Sequence, residues 1–204
     1  MTEQEKGPQG RRRGRGARER VLGAAEQLFR AQGINNTGMD QLCAVAQVSK
    51  RTTYQHFDSK DALIAEYLRR QDSDVMPEVF DRTDLTPRER LLAAFDTPRS
   101  VSPDSVTPLC PFIAAAVEIG DPGHPARRRS QEYKTSVAAR FAVTARQAGA
   151  LDPEGLGEQL ALLLDGASTR SRVLGRETLP TAAAIAATLI DNALPAPRPS
   201  VAET

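Results

Sequence analysis

Apolar residues recur at intervals of three and four from about Ala17 onward, and nowhere do they settle into the alternation of a half-buried strand. That spacing restricts the chain to an all-α architecture, in which amphipathic helices bury their stripes against one another. In the first third, Val21, Ala25, Leu28 and Gln32 share a face, Leu22 and Phe29 lie beside it, and Gly33 is placed to stop the helix. Thr37 then offers an N-cap with Asp40 at N3, ahead of the apolar set Met39, Leu42, Cys43 and Ala46. Ser49 opens a third helix of about one and a half to two turns. Asp58 or Ser59 opens a fourth, whose stripe is Leu63, Ile64, Tyr67 and Leu68. Helices this short and close together bury their faces only against one another.

The remainder is also helical. Thr86, Pro87 and Glu89 form a strong start, with cap, N1 proline and capping-box acid in order. Residues 101–108, punctuated by Pro and Ser, read as a loop. Helix is expected from about Pro111 to Ile119, from Pro125 to Ala148 after the break at GDPGHP, onward from a cap at Asp152, and over roughly 181–194. The expected division is a disordered basic arm at 1–16, a DNA-binding unit at 17–70, a helical ligand-binding and dimerisation domain at 71–195, and a frayed tail at 196–204.

The net charge of +1 over 204 residues conceals an asymmetry. Residues 11–70 carry 12 Lys/Arg against 6 Asp/Glu, whereas residues 71–204 carry 14 against 18. Only the first third is therefore suited to a polyanion. No apolar run reaches the roughly 18–20 residues that span a bilayer, and the basic N-terminus has no hydrophobic stretch after it, so neither a membrane anchor nor a secretory leader is expected. Two cysteines, Cys43 and Cys110, make no disulfide framework and fit a reducing cytoplasm.

The segment VSKRTTYQHFDSK, residues 48–60, concentrates donors. Two short helices separated by a turn of about three residues, the second rich in donors, form a helix-turn-helix pattern. A major groove admits one helix whose first turn reaches base edges, while flanking phosphates demand cations and hydroxyls. Ser49, Lys50, Arg51 and Thr52 occupy that first turn; Tyr54 and His56 end the helix, and Lys60 begins the next. Val48 and Phe57 bracket the segment and seat it on the core. Tyr54 serves as half-buried packing, as a phosphate donor, or as both. Arg11, Arg12, Arg13 and Arg15 form a strip that either follows a minor groove or adds nonspecific attraction.

AAEQLFRAQGINNT at 24–37 and VSKRTTYQHFDSKDAL at 48–63, in this order, resemble the DNA-binding domain of the tetracycline-repressor (TetR) family of bacterial regulators. Weaker likeness to one branch of that family continues in CPFIAAAVEIGDPGHPAR and ALLLDGA. The resemblance implies an all-α subunit of about nine helices, a homodimer on a pseudo-palindromic double-stranded DNA operator, and a small-molecule effector bound in a variable C-terminal domain. It assigns Lys50, Arg51 and Thr52 to bases and nearby backbone, Tyr54, His56 and Lys60 to phosphates, and Thr37 to the start of the first motif helix, near the DNA backbone. The chain departs from the family pattern at four places. Gly38 stands where a second Thr is frequent, Gln47 where a turn Gly is common, Thr53 where a bulky apolar residue is usual, and Arg51 where a small residue is frequent.

Nothing points to catalysis or to a cofactor. The two histidines, His56 and His124, fall in different halves; there is no zinc spacing, no nucleophile elbow and no phosphate-binding glycine loop. Phe80, Phe95, Phe112 and Phe141 either pack a core or, with Cys110, line an apolar pocket for a neutral hydrophobic effector. Cys110 itself reads first as a small packed residue and second as a redox switch. The last two helices carry more apolar residues than one buried face requires. Leu160, Leu164, Ala167 and Leu174 with Ile185, Leu189 and Ala193 are the expected dimer surface, forming a four-helix contact between subunits. The function expected is a repressor released by a small hydrophobic molecule; the competing class is a DNA-binding accessory protein without a sensor.

Overall fold

The computed structural model describes residues 9–72, 75–96 and 109–195, with side chains from residue 16. Among these residues there are ten helices and no strand: α1 (Gln9–Gln32), α2 (Met39–Ala46), α3 (Lys50–Tyr54), α4 (Lys60–Gln71), α5 (Pro77–Phe80), α6 (Pro87–Ala93), α7 (Pro111–Glu118), α8 (Pro125–Gln147), α9 (Pro153–Leu174) and α10 (Leu179–Ala193). The loop expected at 101–108 and the tail expected at 196–204 lie outside the described residues. Helix α1 begins at Gln9 rather than Ala17, so the second half of the expected basic arm is helical backbone. Arg and Gln are good helix formers, and a helix already nucleated downstream extends through them in spite of Gly10, Gly14 and Gly16.

The chain divides into two compact units, Met1–Gln71 with Pro111–Gln131, and Asp72–Cys110 with Glu132–Thr204. The first differs from the expected DNA-binding unit by gaining α7 and the start of α8. Its core is the α1 face (Val21, Leu22, Ala25, Leu28, Phe29) closed by Leu42 and Ala46 of α2 and by Leu63, Tyr67 and Leu68 of α4, all buried. The ring of Phe29 meets Tyr67 edge-on at 5.3 Å. At the α1 terminus Gly33 takes φ 92°, a conformation that only glycine adopts without strain. A Cβ there would also lie 2.9 Å from the Glu118 carboxylate. Glu118 accepts from the Asn35 N–H at 2.9 Å, and the Asn35 amide donates to the Glu118 carbonyl at 2.6 Å. These bonds explain why α7 groups with the first unit.

Across α1 and α4, Glu66 receives both Arg69 and Arg18. Hydrogen bonding from Arg69 foremost, opposed by burial and aided by Arg18, brings the Glu66 carboxyl down to about 2. A depressed carboxyl stabilises the fold above its unfolded pKa, and that contribution is lost as pH falls toward 2. Glu66→Gln should therefore lower the melting temperature at neutral pH and flatten its decline between about pH 5 and pH 2.

The second unit packs Val79, Phe80, Leu91, Phe95, Val137, Phe141, Leu156, Leu160, Ala186 and Ile190 into one core. The start of α6 is as expected: Thr86 accepts from the Glu89 N–H while the Glu89 carboxylate accepts from Thr86. Asp152 caps α9 by accepting from the Gly155 N–H at 2.9 Å. Helix α5 was not expected; it opens from Met76 at φ 59° and is four residues long, with Pro77 at N1 and Glu78 in the first turn but no side-chain cap. Gly157 sits where a Cβ would be 2.8 Å from the Ala138 carbonyl and the Ala142 nitrogen, so α8 and α9 touch backbone to backbone there.

Candidate nucleic-acid interface

The turn between α2 and α3 is built from three local features. Gln47, at φ 52°, takes the left-handed conformation usually given to glycine, as its place in the turn requires. Its N–H and that of Val48 donate to Ala44 and Cys43, closing the α2 terminus. Ser49 then caps α3: its Oγ accepts from the Thr52 N–H at 3.1 Å and is 2.8 Å from the Thr52 hydroxyl. Val48 and Phe57 are both buried, so the recognition segment is anchored at each end. Arg18 lies over the Phe57 ring at 5.6 Å.

Thr53 seats the helix although it is small and polar. It is fully buried, donates to the Ser49 carbonyl at 3.2 Å and accepts from the Cys43 thiol at 3.3 Å. Two hydrogen bonds replace the contact area a bulky apolar residue would bring. Cys43 is thus a buried packing and donor group.

The expected DNA-facing residues divide into groups. Ser49, Lys50, Arg51, Thr52 and Tyr54 are contiguous on or beside α3, with Lys50, Arg51 and Tyr54 exposed. His56 is half-buried in the turn before α4. Thr37 does not join them. It is fully buried, and its hydroxyl donates to the Gly33 carbonyl at 2.7 Å, so it neither caps α2 nor faces a phosphate. The N-cap of α2 is Gly38, with no side-chain bond, because the turn after Gly33 draws Thr37 inward.

Two of the cations are also engaged. Lys50 pairs with Asp40 of α2 at 2.7 Å, a contact that raises its pKa. The Lys60 ammonium donates to the Ile34 carbonyl at 2.6 Å, tying the start of α4 to the loop after α1. Lys60→Ala should therefore lower the melting temperature by several degrees, since a charge-assisted bond contributes about 1.5–3 kcal/mol. An unchanged melting temperature, with the salt dependence of DNA binding shallower by about one unit, would return Lys60 to a purely phosphate-facing role.

Of the residues expected to line an effector pocket, three pack on one another. Phe80 meets Phe141 edge-on at 5.0 Å and Phe95 stacks on Phe141 at 6.2 Å, so these rings fill the second core. Phe112 is buried in the first unit. Cys110 is half-buried, and its N–H reaches the Ser168 hydroxyl at 3.4 Å. The scattering of Phe residues was a core pattern because aromatic side chains bury best against one another.

On α9 and α10 the expected dimer residues split. Leu160 is fully buried and Ala167 is 6% exposed, both within the subunit's own core, whereas Leu174 is 42% and Ile185 46% exposed. Leu164, Leu189 and Ala193 are half-buried. Leu162 and Val173, each 76% exposed, were not anticipated. The run LALLL is apolar at every angle around the helix, so its phase is not readable from spacing. An apolar groove of about 650 Å³ opens between the two helices, with Leu162, Gly166 and Ile185 on its walls.

Among the described residues no three His, Cys, Asp or Glu side chains are grouped to hold a metal ion, and no helix is long and apolar enough to cross a membrane. Residues 21–67 match the family model described as bacterial regulatory proteins, tetR family. The HTH-type transcriptional regulator YjdC of Escherichia coli (strain K12) is 29% identical over 163 residues, covering 76% of this chain and 83% of that protein. The crystal structure of a putative TetR transcriptional regulator from Streptomyces avermitilis aligns with a TM-score of 0.68 and 33% identity, over 87% of this chain and 97% of the other. A TetR-family regulator from Streptomyces coelicolor aligns with a TM-score of 0.70 and 25% identity, over 88% and 94%.

Proposed function

This chain belongs to the TetR family of bacterial transcriptional regulators and is a DNA-binding regulator, and from that premise we propose that it is a cytoplasmic homodimeric repressor which a small hydrophobic molecule releases from its operator. The observation that carries the switch is the attachment of α7. That helix follows directly on Cys110, the last residue of one segment of the second unit, yet it is bonded into the first unit through Glu118 and Asn35. Four residues after Gly120 the same connection places His124 3.4 Å from Asp61, in the first turn of α4. A ligand that displaces the chain leading into α7 therefore pulls on the loop before α2 and on the start of α4. A ligand acts at a distance only by differing in affinity for two arrangements of such an element. Release follows when the two recognition helices of the dimer leave the roughly 34–36 Å spacing of successive major grooves. The α9–α10 groove supplies the apolar surface for the dimer.

The test is a footprint on the DNA upstream of the protein's own coding sequence, repeated with hydrophobic metabolites and drugs first selected by thermal shift. Compounds that raise the melting temperature and clear the footprint support the repressor. Compounds that stabilise the protein while every footprint persists overturn the switch and leave a DNA-binding protein without a sensor.

A further inference from the structure

We propose that Arg51 sets operator specificity by reading one guanine in each half-site, and that Asp40 is the positioning residue that keeps Lys50 out of that role. The inference rests on α2 and α3 being the DNA-reading elements and adds the chemistry they read.

In the first turn of the recognition helix most donors are engaged, while beyond it the Tyr54 hydroxyl and the Gln55 amide are exposed and unbonded. The Ser49 hydroxyl is engaged with the Thr52 N–H and hydroxyl. The Thr53 hydroxyl is buried and bonded to Ser49 and Cys43. Lys50 is held by Asp40, and Lys60 by the Ile34 carbonyl. Elsewhere between Ala17 and Gln71, Arg18, Arg69 and Arg70 pair with Glu66 or Glu19, Arg30 with Glu26, and Arg20 donates to the Ala46 carbonyl. Of the Lys and Arg side chains described in that span, only Arg51 has neither an ion pair nor a hydrogen bond.

Its direction follows from helix geometry. Thr53 points into the core, and each residue turns the helix by about 100°. Arg51, two residues earlier, lies about 200° from Thr53, on the face opposite the core. Lys50, three residues earlier, comes round to within about 60° of Thr53 and so flanks α2, where Asp40 meets it. The outward face of the first turn is the part of such a helix that meets base edges. A guanidinium fork presented there matches guanine, whose O6 and N7 are two acceptors on one major-groove edge. The Lys50 ammonium is a point charge without the fork, and its exposed pairing with Asp40 draws it toward α2 rather than outward.

The experiment is selection from random-sequence duplexes with the full chain, followed by titrations on the enriched site. The wild-type protein should enrich a motif with a guanine in each half-site, and 7-deazaguanine at that position, which lacks N7, should weaken binding roughly 5- to 150-fold. Arg51→Ala, whose melting temperature should be unchanged, should lose that guanine from its motif and be indifferent to the analogue. Arg51→Lys keeps the charge and should keep the salt dependence while losing the guanine. Asp40→Asn should keep the guanine and steepen the salt dependence by up to about one phosphate contact, because Lys50 is released. If Arg51→Ala enriches the wild-type motif with uniformly weaker affinity and a shallower salt dependence, Arg51 binds phosphate and the proposal fails. If Asp40→Asn loses the guanine while Arg51→Ala retains it, the roles are reversed. A wild-type protein that enriches no motif overturns the underlying reading of α3 instead.

Discussion

Ile185→Glu should give a folded monomer that no longer holds its operator. Ile185 is 46% exposed on α10 and borders the apolar groove with Leu162 of α9. In an isolated subunit a carboxylate at this site sits in water and disturbs nothing in the core. In a two-fold interface it meets apolar surface, and with symmetry each dimer buries two such charges. An unpaired charge in a dry contact costs on the order of 3–5 kcal/mol, which is enough to separate subunits at micromolar concentration. Operator affinity should fall with it, because a dimer reads two half-sites and a monomer one. Light scattering gives the mass, and circular dichroism shows that the helices persist. A dimer that survives both Ile185→Glu and Leu162→Glu moves the interface off these helices. Leu160→Glu is not a usable probe, since Leu160 is wholly buried in its own subunit and the variant would unfold in either case.

Phe141→Ala should be the most destabilising single truncation in the second unit. Phe141 is fully buried, with Phe80 edge-on at 5.0 Å and Phe95 stacked at 6.2 Å. Phe80 is covered in turn by the Arg140 guanidinium at 5.4 Å. Three rings share one contact, so removing the middle one leaves a void that the other two cannot close together. Large-to-small changes of this kind cost about 3–5 kcal/mol, and in a chain of this length each kcal/mol moves the melting temperature by about 2–4 °C. Calorimetry should show the loss on the transition that belongs to the second unit. A loss below about 1 kcal/mol would mean that the ring already faces open space, as a pocket wall does, and would restore the effector lining first expected there.

The all-α class, the order of every helix except α5, and the caps at Ser49, Thr86 and Asp152 were legible in the chain. Gln47, which the family resemblance set at a turn position where Gly is common, takes the left-handed conformation that such a turn requires. These features depend on partners at most a few residues away: a hydroxyl three positions before an N–H, or apolar side chains three and four apart. The buried faces of α1 and α4 follow the same rule, and their apolar stripes are buried as spaced, with Gln32 at the end of the α1 face only half-buried. Such information is local, and a linear sequence carries it fully.

Only the tertiary structure decided which donors remain free and which apolar faces remain open. Lys60 is engaged by a carbonyl 26 residues away, and Asn35 by Glu118 at a separation of 83. Thr37 looks like a cap by position, but the chain reversal at Gly33 turns its hydroxyl inward. Leu160 and Leu162 are the same residue type two positions apart, one wholly buried and the other 76% exposed, because the packing of α9 selects the phase that its apolar run leaves undefined. Phe80, Phe95 and Phe141 had the composition of a pocket, and their packing on one another made them core. Hydrogen bonds and close packing between distant segments depend on where the whole backbone goes, and no local spacing encodes that.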